Sequence, residues 1–321
     1  MDKSPVLASI FIVGSLIIPA TDAFAPPSPT CTISATTISF GNVDVLAGAA
    51  VDTTATLTVS CSGGGSGQRL CISIGAGSAG DATSRQLVGS GGATLRYDLY
   101  SNSSRTTLWG SWQTGYDTAG VQLDVAQNST TPVTVYARLL GSQQTAATGA
   151  YSSTFTANPF LQYGNLGGSS CPTGSLTTST STSASATVVT NCNISATNLN
   201  FGTVGLLTAN VDATTTVAVQ CTKATPYTLG LGNGLNFSSG TRRMKAGTTF
   251  VNYGLYTDAA RTNAWTTTTS ATTCTGGANT CAVGTGAGSN QNITVYGRVP
   301  AQTPTPAPAT YTDTIVATVT Y

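Results

Sequence analysis

Eight cysteines and 11 aspartates are the residues of this 321-residue chain that could carry chemistry, because histidine and glutamate are both missing. Histidine is the commonest general base and metal ligand in proteins. The cysteines also lack the CxxC spacing that is typical of a zinc site. We therefore expect neither enzymatic activity nor a cofactor.

The aspartates and glycine runs have ordinary structural explanations. Asp44, Asp52, Asp212 and Asp313 lie in or beside β-rich segments, where turn and surface roles are expected. Asp52 and Asp212 correspond between the two copies of a repeat described below, so we expect them to have a scaffold role. The glycines at 63–65 do not lead a strand into a helix with a Lys-Ser/Thr pair, so they form no phosphate-binding loop. Charged residues make up 7% of the chain and its net charge is +1, which argues against a nucleic-acid partner.

The N-terminal residues predict export from the cytoplasm. Lys3 precedes an apolar run from Val6 to Ile18, and Ala23-Phe24-Ala25 resembles a cleavage site, so residues 1–25 read as a signal peptide. The apolar run is shorter than the roughly 20 residues of a membrane-spanning helix. Export would bring the eight cysteines into a compartment where disulfides form.

The remainder of the chain is one domain written twice. The matching segments are 31–41 with 192–202, 96–100 with 252–256, 133–138 with 293–298, Arg105 and Trp109 with Arg261 and Trp265, and Tyr151 with Tyr311. The period is much longer than that of a solenoid repeat. We predict an N-terminal domain over 26–163, a Ser/Thr/Gly-rich linker over 164–190 and a C-terminal domain over 191–321.

The repeat restricts the 105 disulfide pairings that eight cysteines allow. Both copies preserve one pair, so Cys31 should bond to Cys61 and Cys192 to Cys221. Cys274 and Cys281 occur in the second copy alone and should staple the loop between them. Cys71 and Cys171 remain, and we expect them to pair, although the sequence leaves this bridge open.

Each copy alternates short β-branched runs with Gly/Ser/Asn-rich turns, which indicates an all-β fold of two tandem immunoglobulin-like β-sandwich domains. The strands predicted in the first copy are 32–40, 52–61, 70–76, 94–101, 133–140 and 151–161. Six strands are one fewer than such a sandwich usually has. Residues 164–190 are either a flexible linker or, over Ser175–Val189, the missing last strand of the first copy.

The last residues of the chain, 311–321, have the period of a strand with one mainly apolar face. That face carries Tyr311, Asp313, Ile315, Ala317, Val319 and Tyr321. No further run follows that could pair with this strand, and an unpaired sheet edge is a liability unless something covers it. The sequence therefore raises the question of what lies along this edge.

Three motifs resemble the spore coat U domain family, which includes subunits of Csu-type archaic chaperone–usher pili. They are the Cys-x-Ile-Ser-Ala opening with its Phe-Gly, Arg242-x-Met244 before Tyr-Gly-Leu-Tyr, and the ending Val-Tyr-Gly-Arg-Val-Pro…Tyr-Thr-Asp-Thr-Ile. The first copy departs from this pattern at Leu87, Ala137 and Leu140, where the second has Met, Gly and Pro.

The resemblance implies that the C-terminal domain is an incomplete pilin fold that lacks its last strand. A periplasmic pilus chaperone would supply that strand first, the outer-membrane usher would assemble the pilus, and the donor strand of a neighbouring pilin subunit would then replace the chaperone. The groove residues expected from the final strand are Tyr311, Ile315, Ala317, Val319 and Tyr321.

Residues 26–30 favour a place at the pilus tip. They read Pro-Pro-Ser-Pro-Thr, and prolines remove donors from a β-ladder. We expect a subunit that accepts a strand but donates none, exported through the periplasm to the cell surface. The first copy would then be the adhesin domain of a tip subunit that supports cell adhesion and biofilm formation.

Adhesion is predicted to occur through apolar loops at the end of the first domain that lies away from the linker. If the fold is a simple sandwich, the loops at 42–51, 77–93 and 139–149 share that end. Their apolar residues, with one tryptophan that has no counterpart in the second copy, are Val45, Leu46, Leu87, Val88, Leu139, Leu140 and Trp112. Such a cluster would bind an apolar or host surface.

Two other functions fit the same sequence. One is a secreted structural coat protein with no adhesive role. The other is a lectin-like tip that binds sugar through Trp112, Tyr116 and Asp117.

Overall fold

The structure is a computed structural model that describes residues 30–63, 68–81, 84–113, 115–156, 161–165, 170–171 and 178–321. The predicted signal peptide and the proline-rich residues 26–29 lie outside this described part. Among the described residues, no helix is long and apolar enough to cross a membrane.

The first half of the protein, which we define as residues 30–188, is built from twelve strands and two short 3₁₀ turns at Val45–Ala47 and Ser90–Gly92. The strands are β1 (Thr30–Ala35), β2 (Ile38–Val43), β3 (Val51–Ser62), β4 (Gln68–Ile74), β5 (Arg85–Gly89), β6 (Thr94–Tyr100), β7 (Val121–Val125), β8 (Ser129–Leu139), β9 (Gly149–Phe155), β10 (Leu161–Asn165), β11 (Thr178–Ser179) and β12 (Thr182–Val188). One sheet has the order β1-β3-β8-β6-β5-β9-β12-β2, and the other β11-β10-β4-β7.

The second half, residues 191–321, repeats this plan with ten strands. They are β13 (Cys192–Ala196), β14 (Val211–Cys221), β15 (Pro226–Leu231), β16 (Arg242–Ala246), β17 (Thr249–Tyr256), β18 (Thr268–Ser270), β19 (Thr273–Cys274), β20 (Ala282–Thr285), β21 (Gln291–Val299) and β22 (Ala317–Thr320). The main sheet has the order β13-β14-β21-β17-β16, and the facing sheet β20-β15-β22. Both halves are all-β sandwiches, as predicted.

The strand pattern predicts the first half well but not completely. The predicted strand 32–40 is broken into β1 and β2, because Thr36 leaves the ladder and bonds to Thr56. Strands β5 and β7 are additions that the sequence did not predict. Each is five residues long, which gives an alternating pattern little room to show.

Strand β12 is the clearest difference from the flexible-linker interpretation of 164–190. It pairs antiparallel with β9 along its whole length and parallel with β2. Its own residues Ala184, Ala186 and Val188 face the core and are buried. The linker interpretation is therefore wrong for Thr182–Val188, and the alternative that this segment returns as the missing strand of the first half is confirmed.

All four expected disulfides are present. Cys31 is bonded to Cys61, Cys71 to Cys171, Cys192 to Cys221 and Cys274 to Cys281. Residue by residue, Cys31 faces Cys61 across the β1–β3 ladder, and Cys192 faces Cys221 across β13–β14. The repeat therefore preserves these two bridges because it preserves the register of its first two paired strands.

Aspartates that correspond in the two halves each sit between two arginines. The Asp52 carboxylate accepts bonds from Arg138 at 2.7 and 2.8 Å, and Asp212 accepts bonds of the same lengths from Arg298. The hydrogen bond from its arginine holds the pKa of each aspartate below its usual range. This arrangement confirms a scaffold role for Asp52 and Asp212.

A buried arginine holds the two sheets together in each half. Arg85 donates to the carbonyls of Gly75, Ile74 and Trp109, although it has no carboxylate partner among its hydrogen bonds. Arg242 makes the matching bonds to Gly232, Leu231 and Trp265. Burial lowers the pKa of both guanidinium groups. The Arg-x-Met motif thus marks a structural bridge, and Trp109 and Trp265, which are both buried, belong to the scaffold.

Replacement of Arg85 should lower the stability of the first half far more than replacement of an exposed arginine. In Arg85→Ala, three buried carbonyls lose their partner, and each such loss costs about 1–3 kcal/mol. We expect a fall of about 3 kcal/mol or more in the free energy of unfolding, measured by urea denaturation. Arg69→Ala is the control, because Arg69 pairs with Asp124 at the surface. Equal effects of the two substitutions would contradict this role for Arg85.

Candidate strand-acceptor groove

One difference between the two halves concerns an edge of the sandwich: the first half contains β12, and the described part of the second half has no equivalent strand. Residues 310–316 occupy the position of β9, as Tyr311 aligns with Tyr151. Residues 199–204 occupy the position of β2. No strand in the described part of the second half lies between them. We call the space between these two segments the acceptor groove.

Apolar side chains on or just after β2, and along β9, are buried in the first half, and their counterparts in the second half are more exposed. Val43 and Val45 are 2% and 5% exposed, whereas their counterparts Val204 and Leu206 are 41% and 75% exposed. Buried residues of the first half and their more exposed counterparts include Ile38 and Leu199, Phe40 and Phe201, Tyr151 and Tyr311, and Phe155 and Ile315. The groove is therefore apolar and open to solvent.

The backbone along the groove is also unpaired on one side. Thr312 bonds to Lys245 at the inner edge and Val316 accepts from Gly232, but no described strand pairs with the outer edge of 310–316. In the first half, β12 and β11 occupy this edge by pairing with β9 and β10. An exposed sheet edge beside an apolar groove is the arrangement that binds an added strand.

The groove residues predicted from the final strand divide into two groups. Tyr311 and Ile315 face the groove and are half-buried. Ala317 and Val319 belong to β22, which pairs with Leu231 and Leu229 of β15 and forms the edge of the facing sheet. Tyr321 is 49% exposed, and its hydroxyl contacts Asn191 at 3.3 Å.

The predicted strand 311–321 is shorter in the structure, where the ladder covers Ala317–Thr320. Residues 313–316 are not part of a ladder because the neighbouring strand that would pair with them is missing.

Asp313 lies on the groove-facing side of this segment, where the first half has Ser153. Its carboxylate accepts hydrogen bonds from Tyr253 Oη at 2.7 Å, Leu235 N at 3.1 Å and Asn236 Nδ2 at 3.0 Å. Burial and the bond to Asp313 raise the pKa of Tyr253. Three donors bond to the carboxylate, so a strand could cover it without leaving its oxygens without hydrogen-bond partners.

Two of the three loops expected at the tip of the first half, 42–51 and 139–149, lie at the wrong end for that role. β12 ends at Val188, Val189 bonds to Val43, and the first strand of the second half begins at Cys192 after three intervening residues. Asn191 then donates to Asp44 at 2.7 Å, and Thr148 bonds to Lys223. The loops 42–51 and 139–149 therefore face the second half, because β12 reverses the direction in which the chain was expected to leave the domain.

Most of the side chains proposed for adhesion are also buried. Val45, Leu46, Leu87 and Leu139 are between 0% and 7% exposed and belong to the core. Val88 is 38% exposed, and Leu140 and Trp112 are half-buried. The first four cannot contact a surface, and Leu140 lies in the loop 139–149 that faces the second half, which leaves Val88 and Trp112 as candidates.

Each half of the chain matches the same domain family. Residues 20–158 and residues 177–318 both match the Spore Coat Protein U domain. The chain belongs to this family. The second match begins before β11, so the family pattern assigns β11 and β12 to the start of the second domain although they pair with the first.

Individual relatives agree with this assignment. Protein U of Myxococcus xanthus is 35% identical over 140 residues, which are 38% of this chain and 71% of that protein. A chain of the CsuC–CsuE chaperone–tip adhesion subunit pre-assembly complex, from archaic chaperone–usher Csu pili of Acinetobacter baumannii, has a similar structure. The TM-score is 0.52 at 16% identity, covering 91% of this chain and all of the other. This likeness concerns the fold.

The sequence predicted the open edge but not the groove wall formed by Val204 and Leu206. Alignment of the two repeats could have identified Val204 and Leu206, because they align with Val43 and Val45. In both halves a buried leucine follows these positions. The sequence also placed Asp313 among turn and surface aspartates. Its partners Leu235 and Asn236 lie nearly 80 residues away, and local spacing does not disclose such contacts.

Hydrogen exchange should distinguish the two grooves in the free protein. We expect backbone amides of 199–204 and 313–316 to exchange much faster than those of β2 and β9, because the latter are protected by β12. Exchange followed by mass spectrometry compares the four segments in one sample, so each half is the control for the other. Equal protection would mean that the groove of the second half is closed in solution.

Proposed function

We propose that this chain is the tip subunit of an archaic chaperone–usher pilus. The second half joins the pilus by accepting a donor strand into the acceptor groove, and the first half carries adhesion to a surface and biofilm formation. The observation that supports this most directly is the internal comparison. The same fold occurs twice, completed by β12 in one half and open along the same edge in the other.

The physical case for a strand as the ligand rests on both the backbone and the side chains. The outer edge of 310–316 offers unpaired N–H and C=O groups, and main-chain bonding supplies affinity in strand addition. Alternate side chains of the incoming strand would cover Val204, Leu206 and Phe201, and burial of each large apolar side chain contributes about 1.5–3 kcal/mol. No metal cluster competes with this ligand, since no group of three metal-ligating side chains occurs among the described residues.

The partners follow from the exposure of the groove. An exported chain with an open apolar groove needs a periplasmic chaperone to cover it before assembly, an outer-membrane usher to exchange partners, and a neighbouring subunit to fill it permanently. The four disulfides are consistent with passage through the oxidising periplasm. The final location is the cell surface.

Chaperone capture should depend on the groove wall. In Val204→Asp, the carboxylate would have to be buried beneath the chaperone strand without a partner, which costs several kcal/mol. We expect this variant to lose at least tenfold in complex yield when it is co-expressed with the pilus chaperone. Val283→Asp is the matched control, because Val283 is 61% exposed on the edge strand β20, away from the groove. Undiminished capture of Val204→Asp would refute the proposed groove.

Adhesion through apolar side chains can be tested with Val88→Asp. If Val88 contacts the target, attachment to an apolar surface should fall to background while pilus assembly continues, since Val88 does not lie in the second half. Attachment assays and electron microscopy of the same cells measure the two quantities. Unchanged attachment would move adhesion to another surface of the first half, or favour a coat protein without an adhesive role.

A further inference from the structure

The strand that completes the first half is a template for the strand that the second half accepts. β12 is part of the second domain by family match and inserts into the first domain. From this arrangement we infer a size code for the donor strand: a large apolar residue, then two small residues, then a β-branched residue, at alternate positions. The donor strand runs parallel to residues 199–204. The rest of the subunit that supplies it follows beyond the end of the groove formed by residues 203–206. This inference rests on the proposed acceptor function of the groove.

The register of β12 shows which donor residue meets which groove residue. Residues that face each other across an antiparallel ladder lie on the same side of the sheet. Thr182 faces Phe155, Ala184 faces Ser153 and Ala186 faces Tyr151. In the second half the residues at these three places are Ile315, Asp313 and Tyr311.

The two grooves differ in size at two of these positions. Asp313 is larger than Ser153 and is held in place by its three donors, so the donor residue that meets it can be no larger than alanine. Ile315 is smaller than Phe155, which leaves room for a large apolar residue where β12 has Thr182. Tyr311 retains the tyrosine of the first half, and its hydroxyl bonds to Ala307 as that of Tyr151 bonds to Ala147. A small residue is therefore expected opposite it.

The last position of the code is set by the groove wall. Val188 of β12 faces Val43 in the parallel ladder. Val204 takes the place of Val43, so a β-branched residue of similar size should meet it.

A second copy of this chain is a poor source of the donor. Counted back from the first cysteine of each half, Pro26 and Pro27 stand where β12 has Thr187 and Val188. Both of those residues pair with β9, and proline cannot donate to such a ladder. The favoured occupant is a different subunit of this fold with a strand of the stated pattern before its first cysteine.

The code can be tested with synthetic peptides and the full-length protein. The probe is residues 178–190, TSTSTSASATVVT, labelled for fluorescence anisotropy. Changing Thr182 of the peptide to leucine should strengthen binding at least threefold, whereas changing Ala184 to leucine should weaken it at least tenfold. The protein variant Val204→Asp should bind neither the unchanged peptide nor the peptide with leucine at 182. The protein variant Val283→Asp should bind both of these peptides as the unchanged protein does. β12 stays in its own groove because it is tethered there at high effective concentration.

Direction is measured with a photo-crosslinker on the peptide. A group at the C-terminal end should react with residues 203–206, and a group at the N-terminal end with residues near β22. The opposite pattern, or equal affinity of the two leucine peptides, would overturn the size code while leaving the acceptor groove intact. If no peptide binds and the chaperone also fails to bind, the proposed function itself is wrong. Self-association of the protein that the peptide abolishes would identify a second copy as the occupant instead.

Discussion

A β-sandwich is stable when each core-facing groove is filled and each sheet edge is paired or covered, and this constraint governs the whole molecule. The first half satisfies it with β12, a strand that comes from beyond its own repeat. The second half has the same groove, and its described residues contain nothing that fills it. The two halves share their disulfide register, arginine bridge and aspartate ion pairs. The groove of the second half is therefore unfilled because no strand in the described part of the chain follows to fill it, and not because the core of that half is built differently.

The direction of β12 sets the arrangement of the two halves. The strand must run along β9 and leave the first half beside Val43, so the second half begins at the end that carries the loops 42–51 and 139–149. Asn191 then contacts both Asp44 of the first half and Tyr321 at the end of the second. A short connection between a donor strand and the next domain thus makes two sandwiches stack end to end.

The sequence predicted what local patterns can carry. Alternation and turns predicted the all-β fold, and comparison of the repeats predicted the disulfides, the scaffold role of Asp52 and Asp212 and the open edge at 311–321. The position of Ser175–Val189 stayed undecided because a Ser/Thr/Ala run has the composition of a linker and small apolar residues give a weak alternating signal. Ala184 and Ala186 are core residues because the pairing of β12 with β9 places them opposite the buried Ser153 and Tyr151.

The expected tip loops failed for a related reason. An exposed loop and a buried loop can have the same apolar composition, and burial depends on which end of the sandwich a distant strand covers. Val45 and its counterpart Leu206 illustrate the point, since one is buried and the other is 75% exposed. Residues at the edge of such a fold therefore take their roles from the strand that covers them, and under the proposed function the exposed surface of the second half would become core once a donor strand fills the groove.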